Sequence, residues 1–130
     1  MLLKSLSILV LTAVPLAAQD LCVSAAQQKA LDESFVSYGD VLNDISCDAP
    51  TIAAQKMLCE SENLWPMSVA ASRAWVYAYE NATGTEMDQI NPPRNDDFIA
   101  ARDACTDEAC LCDILTREIN DALGGTSPLN

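Results

Sequence analysis

The six cysteines are the residues of this chain with the clearest capacity for chemistry. They stand at Cys22, Cys47, Cys59, Cys105, Cys110 and Cys112. An even number of cysteines in an exported chain is typical of a disulfide framework, so the sequence predicts three bonds, each contributing about 2–4 kcal/mol. Zinc is the alternative for a cysteine cluster, but the chain has no histidine and no pair of CxxC motifs. We therefore expect disulfides and no metal.

Enzymatic chemistry is poorly supported by the remaining side chains. Without histidine, without a GxSxG motif and with oxidised cysteines, the usual pairs of nucleophile and base are missing. The paired acids Asp96 and Asp97 are of a type used in glycoside hydrolysis, although adjacent carboxylates on a loop are far more often simply solvated. We predict that the protein is not an enzyme and needs no cofactor.

A helix is predicted directly after the last cysteine cluster. Its apolar residues recur at helical spacing before Gly124 and Gly125 end it: Leu111, Ile114, Leu115, Ile119, Ala122 and Leu123. Thr106 is the expected N-cap. Because Cys110 and Cys112 point about 200° apart on a helix, they cannot bond to each other. A short bond from Cys105 to Cys110 is plausible, and Cys112 then needs a distant partner.

The first 18 residues have the form of a secretory signal peptide, with Lys4, an apolar run over residues 6–14 and small residues up to Ala18. The run is too short for a transmembrane helix, which needs about 20 apolar residues. No small residues directly precede Cys22, so we expect no lipid anchor. The prediction is one exported domain over residues 19–130, periplasmic or secreted, in a bacterium.

The predicted mature domain is strongly acidic. Removing residues 1–18 removes Lys4 and no acid, which leaves six basic and 19 acidic residues and a net charge of −13. Phosphates would repel such a surface, so nucleic acid and anionic lipid are excluded as partners. A cationic protein is the natural electrostatic partner. The alternative is that the charge only keeps the domain soluble.

The rest of the chain predicts an all-α fold of four or five helices. Residues 23–45 carry apolar side chains at a spacing of three or four, as one long helix would, with Gly39 as a point of interruption. A turn and a short helix separate Cys47 from Cys59, in a loop that a disulfide could close. Pro66 is then accommodated in the first turn of another helix.

Two aromatic residues of that helix, Trp75 and Tyr79, are interpreted as core, with Trp65 packing over the helix start; a binding surface is the alternative. Residues 81–97 follow with little periodicity and contain Gly84, Pro92 and Pro93. Loops of more than about 12 residues are commonly functional or disordered. Residues 81–97 are therefore the best candidate for a protruding recognition loop.

The order of these features resembles the small exported domain of the LprI-type lysozyme-inhibitor family. The resemblance covers about residues 46–123 and is carried by the following positions: Cys47, Met57-Leu58-Cys59, Leu64, Met67, Ala71, Trp75, Arg102-Asp103-Ala104-Cys105 and Cys110-Leu111. The chain departs from the family pattern at Gln55, usually Glu, at Ser68, usually Asp, and at Phe98, usually Trp.

The resemblance also completes a disulfide set. Cys22 and Cys112 are additional to the four usual cysteines, and their pairing is the simplest completion. The predicted bonds are Cys47–Cys59, Cys105–Cys110 and Cys22–Cys112, one of 15 connectivities.

The resemblance implies inhibition of a lysozyme in the cell envelope. Many lysozymes are cationic and would be attracted by the acidic domain, while their clefts are themselves acidic. We therefore expect Arg94 to enter the cleft, with Asp88, Asp96 and Asp97 as a steering rim. The alternative for Arg94 is a solvated side chain paired with Asp96. A second hypothesis is an interaction or structural module that binds a different envelope protein.

Overall fold

The computed structural model describes residues 22–38 and 44–130, and within them the chain forms five α-helices and a final 3-10 turn. The helices are α1 (Ala25–Ser34), α2 (Ala53–Glu60), α3 (Leu64–Thr83), α4 (Asp96–Asp103) and α5 (Glu108–Leu123), and the turn is Gly124–Thr126. The predicted all-α fold is confirmed. None of the helices in these two described ranges is long and apolar enough to cross a bilayer. The predicted signal peptide lies outside the described residues.

The helix ends follow local side-chain chemistry. Ser24 forms a capping box with Gln27 at the start of α1, since each side chain bonds to the other residue's backbone N–H. Asp107 is the N-cap of α5, and its Oδ1 accepts from the backbone N–H of Cys110 over 2.8 Å. The prediction of Thr106 as N-cap is therefore wrong by one residue, because Asp107 supplies both the acceptor and the negative charge that the helix N-terminus favours.

The core lies mainly between α3 and α5, which make the most extensive contact among the helices. α5 contributes Leu111, Leu115 and Ile119, spaced four residues apart and each fully buried. α3 opposes them largely with small side chains, which let two helices approach closely: Ala70, Ala71 and Ala74, together with Leu64 and Met67. Burial of each large side chain contributes about 1.5–3 kcal/mol.

The N-terminal helix is shorter than its apolar pattern predicts. α1 ends at Ser34, and Phe35 leaves helical geometry with φ −111° and ψ 15°. Phe35 is 1% exposed and makes an edge-to-face contact with Tyr38, whereas the neighbouring Val36 is 82% exposed. A turn after α1 thus buries Phe35 without a continuous helix. The prediction of one helix over residues 23–45 is therefore wrong at residues 23–24, 35–38 and 44–45. Gly39 lies outside the described residues.

Three disulfides connect the helices. They join Cys22 to Cys112, Cys47 to Cys59 and Cys105 to Cys110. These are the three predicted pairs. The first bond attaches the chain before α1 to α5, the second joins the segment before α2 to the last turn of α2, and the third joins the chain just after α4 to the first turn of α5.

Candidate functional site

The irregular stretch between α3 and α4 is the best candidate site. It spans residues 84–95 and is shorter than the predicted 81–97, because α3 continues through Thr83 and α4 already begins at Asp96. Gly84 ends α3 with φ +66°, a left-handed conformation that glycine adopts without strain. We call residues 84–95 the acidic loop. Its place between two helices fixes both of its ends.

Side chains outside the acidic loop hold its backbone. The indole Nε1 of Trp75 donates to the carbonyl oxygen of Pro93 over 2.9 Å. Nearer the start of the loop, the backbone N–H of Met87 donates to Oε1 of Glu80 over 3.3 Å. Since Trp75 and Glu80 both belong to α3, one helix fixes the loop at two separated points.

Within the acidic loop, Asp88 organises a tight turn. Its Oδ1 accepts from the backbone N–H groups of Ile90, over 2.8 Å, and Asn91, over 3.3 Å. The turn displays Ile90, which is 86% exposed and is the most exposed large apolar side chain of the described residues. Asp88 therefore shapes the loop as well as adding charge to it.

The other predicted site residues lie where the loop joins α4. Arg94 donates from Nε to Oδ1 of Asp96 over 3.3 Å, and their side chains are 60% and 82% exposed. Asp96 and Asp97 both occupy the first turn of α4, where negative charge is favourable. The structure thus brings Arg94 and Asp96 together, as the local-pair alternative predicts. Asp88 bonds within its own turn and Asp97 lies exposed beside Asp96.

Asn95 attaches the end of the loop to the core helix α5. Its Nδ2 donates to Oε1 of Glu118 over 2.7 Å, while its own Oδ1 accepts from the backbone N–H of Phe98 and caps α4. Burial raises the pKa of Glu118 above its ordinary value and nearby Asp121 adds to this, although the bond from Asn95 opposes the shift. Nothing in the spacing of Glu118 along α5 indicates this role.

A cavity of about 820 Å³ lies between α3, the acidic loop and the start of α4. Its lining includes the aromatic and apolar residues Tyr38, Trp75, Val76, Met87, Pro92 and Phe98, and the acids Asp44, Glu80, Glu86 and Asp88. Residues 39–43, which connect Tyr38 to Asp44, lie outside the described residues. We call this space the loop cavity.

Trp75 and Tyr79 lie outside the hydrophobic core, so their interpretation as core residues is wrong. Both are half-buried, and their rings contact each other with centroids 6.3 Å apart. Trp75 instead lines the loop cavity and binds Pro93, because its indole N–H needs an acceptor that an apolar core lacks. Trp65 does pack against the core, as predicted.

The loop cavity has an anionic wall. Burial raises the pKa of the Tyr38 hydroxyl, with further contributions from the charge of Glu80 and from Tyr77. Tyr38 therefore stays protonated at neutral pH. This arrangement offers aromatic surface and carboxylates for binding. In the described ranges, no group of three or more His, Cys, Asp or Glu residues could hold a metal ion.

Comparison with known proteins leaves the family open. No family model, curated protein or solved structure matches this chain. The resemblance to the LprI-type family remains a prediction from the sequence. Assignment of function therefore depends on the acidic loop, the loop cavity and the charge of the chain.

Proposed function

We propose that this protein is an exported, non-enzymatic binding domain that recognises a cationic envelope protein through its acidic loop. The main support is that α3 fixes the loop at Met87 and Pro93, while the turn at Asp88 displays an exposed Ile90. A loop already held in one conformation loses less entropy on binding. An exposed apolar side chain next to the carboxylate of Asp88 suits a partner surface with an apolar centre and cationic groups around it.

A lysozyme is the first candidate partner. The net charge of −13 expected for the mature chain would attract a cationic enzyme. In this proposal Arg94 enters the acidic cleft of the lysozyme. Its contact with Asp96 does not prevent this, because both side chains are exposed and such surface pairs contribute only about 0–1 kcal/mol. In this proposal the carboxylates of Asp88, Asp96 and Asp97 face cationic groups around the cleft.

A different envelope protein is the second candidate partner, and Ile90 is the observation that favours it. An apolar side chain at the apex of the loop can fill a pocket on many kinds of protein and needs no glycan cleft. The two candidates make different demands on the loop. Lysozyme inhibition depends on Arg94, whereas binding to another protein depends chiefly on Ile90.

Titration of lysozyme activity with oxidised protein, residues 19–130, tests the proposal at low and physiological salt. Specific inhibition is expected to saturate at about equimolar ratio and to persist at physiological salt, where long-range charge attraction is screened. Arg94→Ala should weaken it more than Asp88→Ala. Absence of inhibition for several lysozyme types would remove lysozyme as the partner.

The role of Ile90 is tested with a matched control. Ile90→Ser should weaken binding to a partner recovered from envelope extract. Val36→Ser should leave it unchanged, because Val36 is similarly exposed but lies after α1 and outside the acidic loop. Equal effects of the two substitutions would contradict recognition through the loop.

A further inference from the structure

We propose that the loop cavity binds a cationic segment of the partner protein, in which a Lys or Arg side chain is flanked by aliphatic residues. The inference rests on the proposed function for the partner being a cationic protein. It deepens that proposal by assigning a second contact, on the inner side of the acidic loop. Ile90 and Arg94 would contact the partner's body, while one extended segment of the partner enters the cavity.

The size and walls of the loop cavity suit a short peptide segment. Its volume of about 820 Å³ falls in the range of pockets that hold ligands, about 300–1,000 Å³. Trp75 contributes aromatic surface with its N–H already bonded to Pro93, so a ligand need not supply an acceptor for it. Met87 adds a flexible side chain that can adapt to aliphatic groups.

The charges on the loop cavity favour a cation. Glu80 and Asp88 each use one carboxylate oxygen for a backbone N–H, which leaves the other oxygen for a ligand. Glu86 also lines the cavity and makes no side-chain hydrogen bond within the described residues. Asp44 is paired with Arg102, while the cation Arg94 also lines the cavity and makes an exposed contact with Asp96. Among the described lining residues, the carboxylates of Glu80, Glu86 and Asp88 therefore outnumber the one cation, Arg94.

Aromatic surface and carboxylates together select the ligand chemistry. A Lys or Arg side chain places its aliphatic stem and cationic head on aromatic rings and brings the head to a carboxylate. An acidic peptide would be repelled by Glu80 and Glu86. A neutral apolar peptide would displace water from these carboxylates and offer no bond in return. A cationic side chain with aliphatic neighbours can contact both the aromatic surface and the carboxylates of the cavity.

The test uses three short unstructured peptides of equal length and measures their binding to the oxidised protein by calorimetry. One alternates Lys with Leu, one alternates Glu with Leu and one alternates Lys with Ser. The Lys–Leu peptide is expected to bind, and the other two to bind at least about tenfold more weakly. Equal binding of the Lys–Ser peptide would show attraction by charge alone and would overturn the inference.

Substitutions then locate the binding site. Glu80→Gln combined with Glu86→Gln should weaken binding of the Lys–Leu peptide about five- to tenfold, a change of about 1–1.4 kcal/mol. Gln at position 80 keeps the oxygen that accepts from Met87. The matched control is Glu60→Gln combined with Glu62→Gln, which removes the same charge from exposed positions at the end of α2 and directly after it. Equal weakening by both pairs would overturn the inference.

The experiments can contradict the cavity site and the proposed function independently of each other. Inhibition of lysozyme without binding of the Lys–Leu peptide would overturn the cavity site and keep the proposed function. Binding of the peptide at the cavity without inhibition of any lysozyme would keep the cavity site and remove lysozyme as partner. Thermal unfolding of both double variants checks that each is folded before binding is compared.

Discussion

Arg102 donates from Nη1 and Nη2 to both carboxylate oxygens of Asp44, over 2.8 and 2.7 Å. Arg102 is 1% exposed, its Nε bonds to Asp103, and its Cζ lies 5.7 Å from the ring centre of Phe98. Asp103 in turn accepts from Nε2 of Gln55 on α2. This network attaches the segment before Cys47 to α4 and α2.

The first prediction concerns the Asp44–Arg102 pair. Asp44→Asn should lower the free energy of unfolding by about 2–4 kcal/mol, because the buried guanidinium loses one of its two carboxylate partners, Asp44 and Asp103. Urea denaturation measures the loss. Glu33→Gln breaks an exposed pair with Lys29 and should cost no more than about 0.5 kcal/mol. Similar losses in the two variants would contradict a buried structural role for Asp44.

The second prediction is the pH dependence of the same pair. The two bonds from Arg102 hold the pKa of Asp44 below its ordinary value of 3.8, and they outweigh the opposing effect of burial. A lowered folded pKa contributes stability that is present above the ordinary value and is lost as pH falls through the folded one. The stability difference between the natural protein and Asp44→Asn should therefore shrink as pH falls below about 3.8. A difference that stays constant in acid would contradict the assignment.

The third prediction concerns Glu118, whose ionisation destabilises the folded protein, whereas that of Asp44 stabilises it. Burial raises the pKa of Glu118 above its ordinary value of 4.5, so its ionisation destabilises the fold as pH rises from that value through the folded pKa. Glu118→Gln keeps an oxygen to accept from Asn95 and should be more stable than the natural protein at neutral pH. The two should unfold alike below about pH 4. Thermal unfolding across pH measures this, and a less stable variant at neutral pH would refute it.

The fourth prediction concerns the anchor of the acidic loop. Trp75→Phe removes the bond to Pro93 and keeps an aromatic ring, so it should cost about 1 kcal/mol and speed amide hydrogen exchange within the loop. Trp65→Phe is the matched control, because Trp65 packs against the core and away from the loop cavity lining. Faster exchange of the loop in both variants would show that loss of packing, and not the Pro93 bond, is responsible.

The fifth prediction ranks two disulfides. The Cys22–Cys112 bond spans a separation of 90 residues, and the Cys105–Cys110 bond spans 5. In the chain-entropy description, replacing both cysteines of the longer loop by serine should cost about 4–5 kcal/mol, against about 2 kcal/mol for the shorter loop. Chemical denaturation of the two double variants measures the difference. A larger loss for the shorter loop would contradict the entropic ranking.

Sequence patterns predict the helices best where one face is apolar and an end is capped. Leu111, Leu115 and Ile119 show this in α5. The prediction of one long helix after Val23 is wrong because the spacing of apolar residues does not distinguish a continued helix from a turn that buries Phe35. The three cysteine pairs follow from helical geometry together with the family resemblance.

The site is less predictable than the fold. The exposed loop and the Arg94–Asp96 pair follow from composition and from closeness in sequence. The bonds from Trp75 to Pro93 and from Asn95 to Glu118 join residues 18 and 23 positions apart, and depend on how the helices pack. The partner of Arg102 is 58 positions away, so no local pattern indicates it.

The Cys22–Cys112 bond also determines how the chain carries mechanical load. A pulling force applied between Cys22 and Asn130 passes through the sulfur bridge directly to Cys112. The polypeptide between these two cysteines, which includes α1 to α4, then lies outside the line of tension. Only the part of α5 after Cys112 and the final turn would extend. Reduction of the bridge would transfer the load to the whole core, so redox state sets the length of chain that force can unravel.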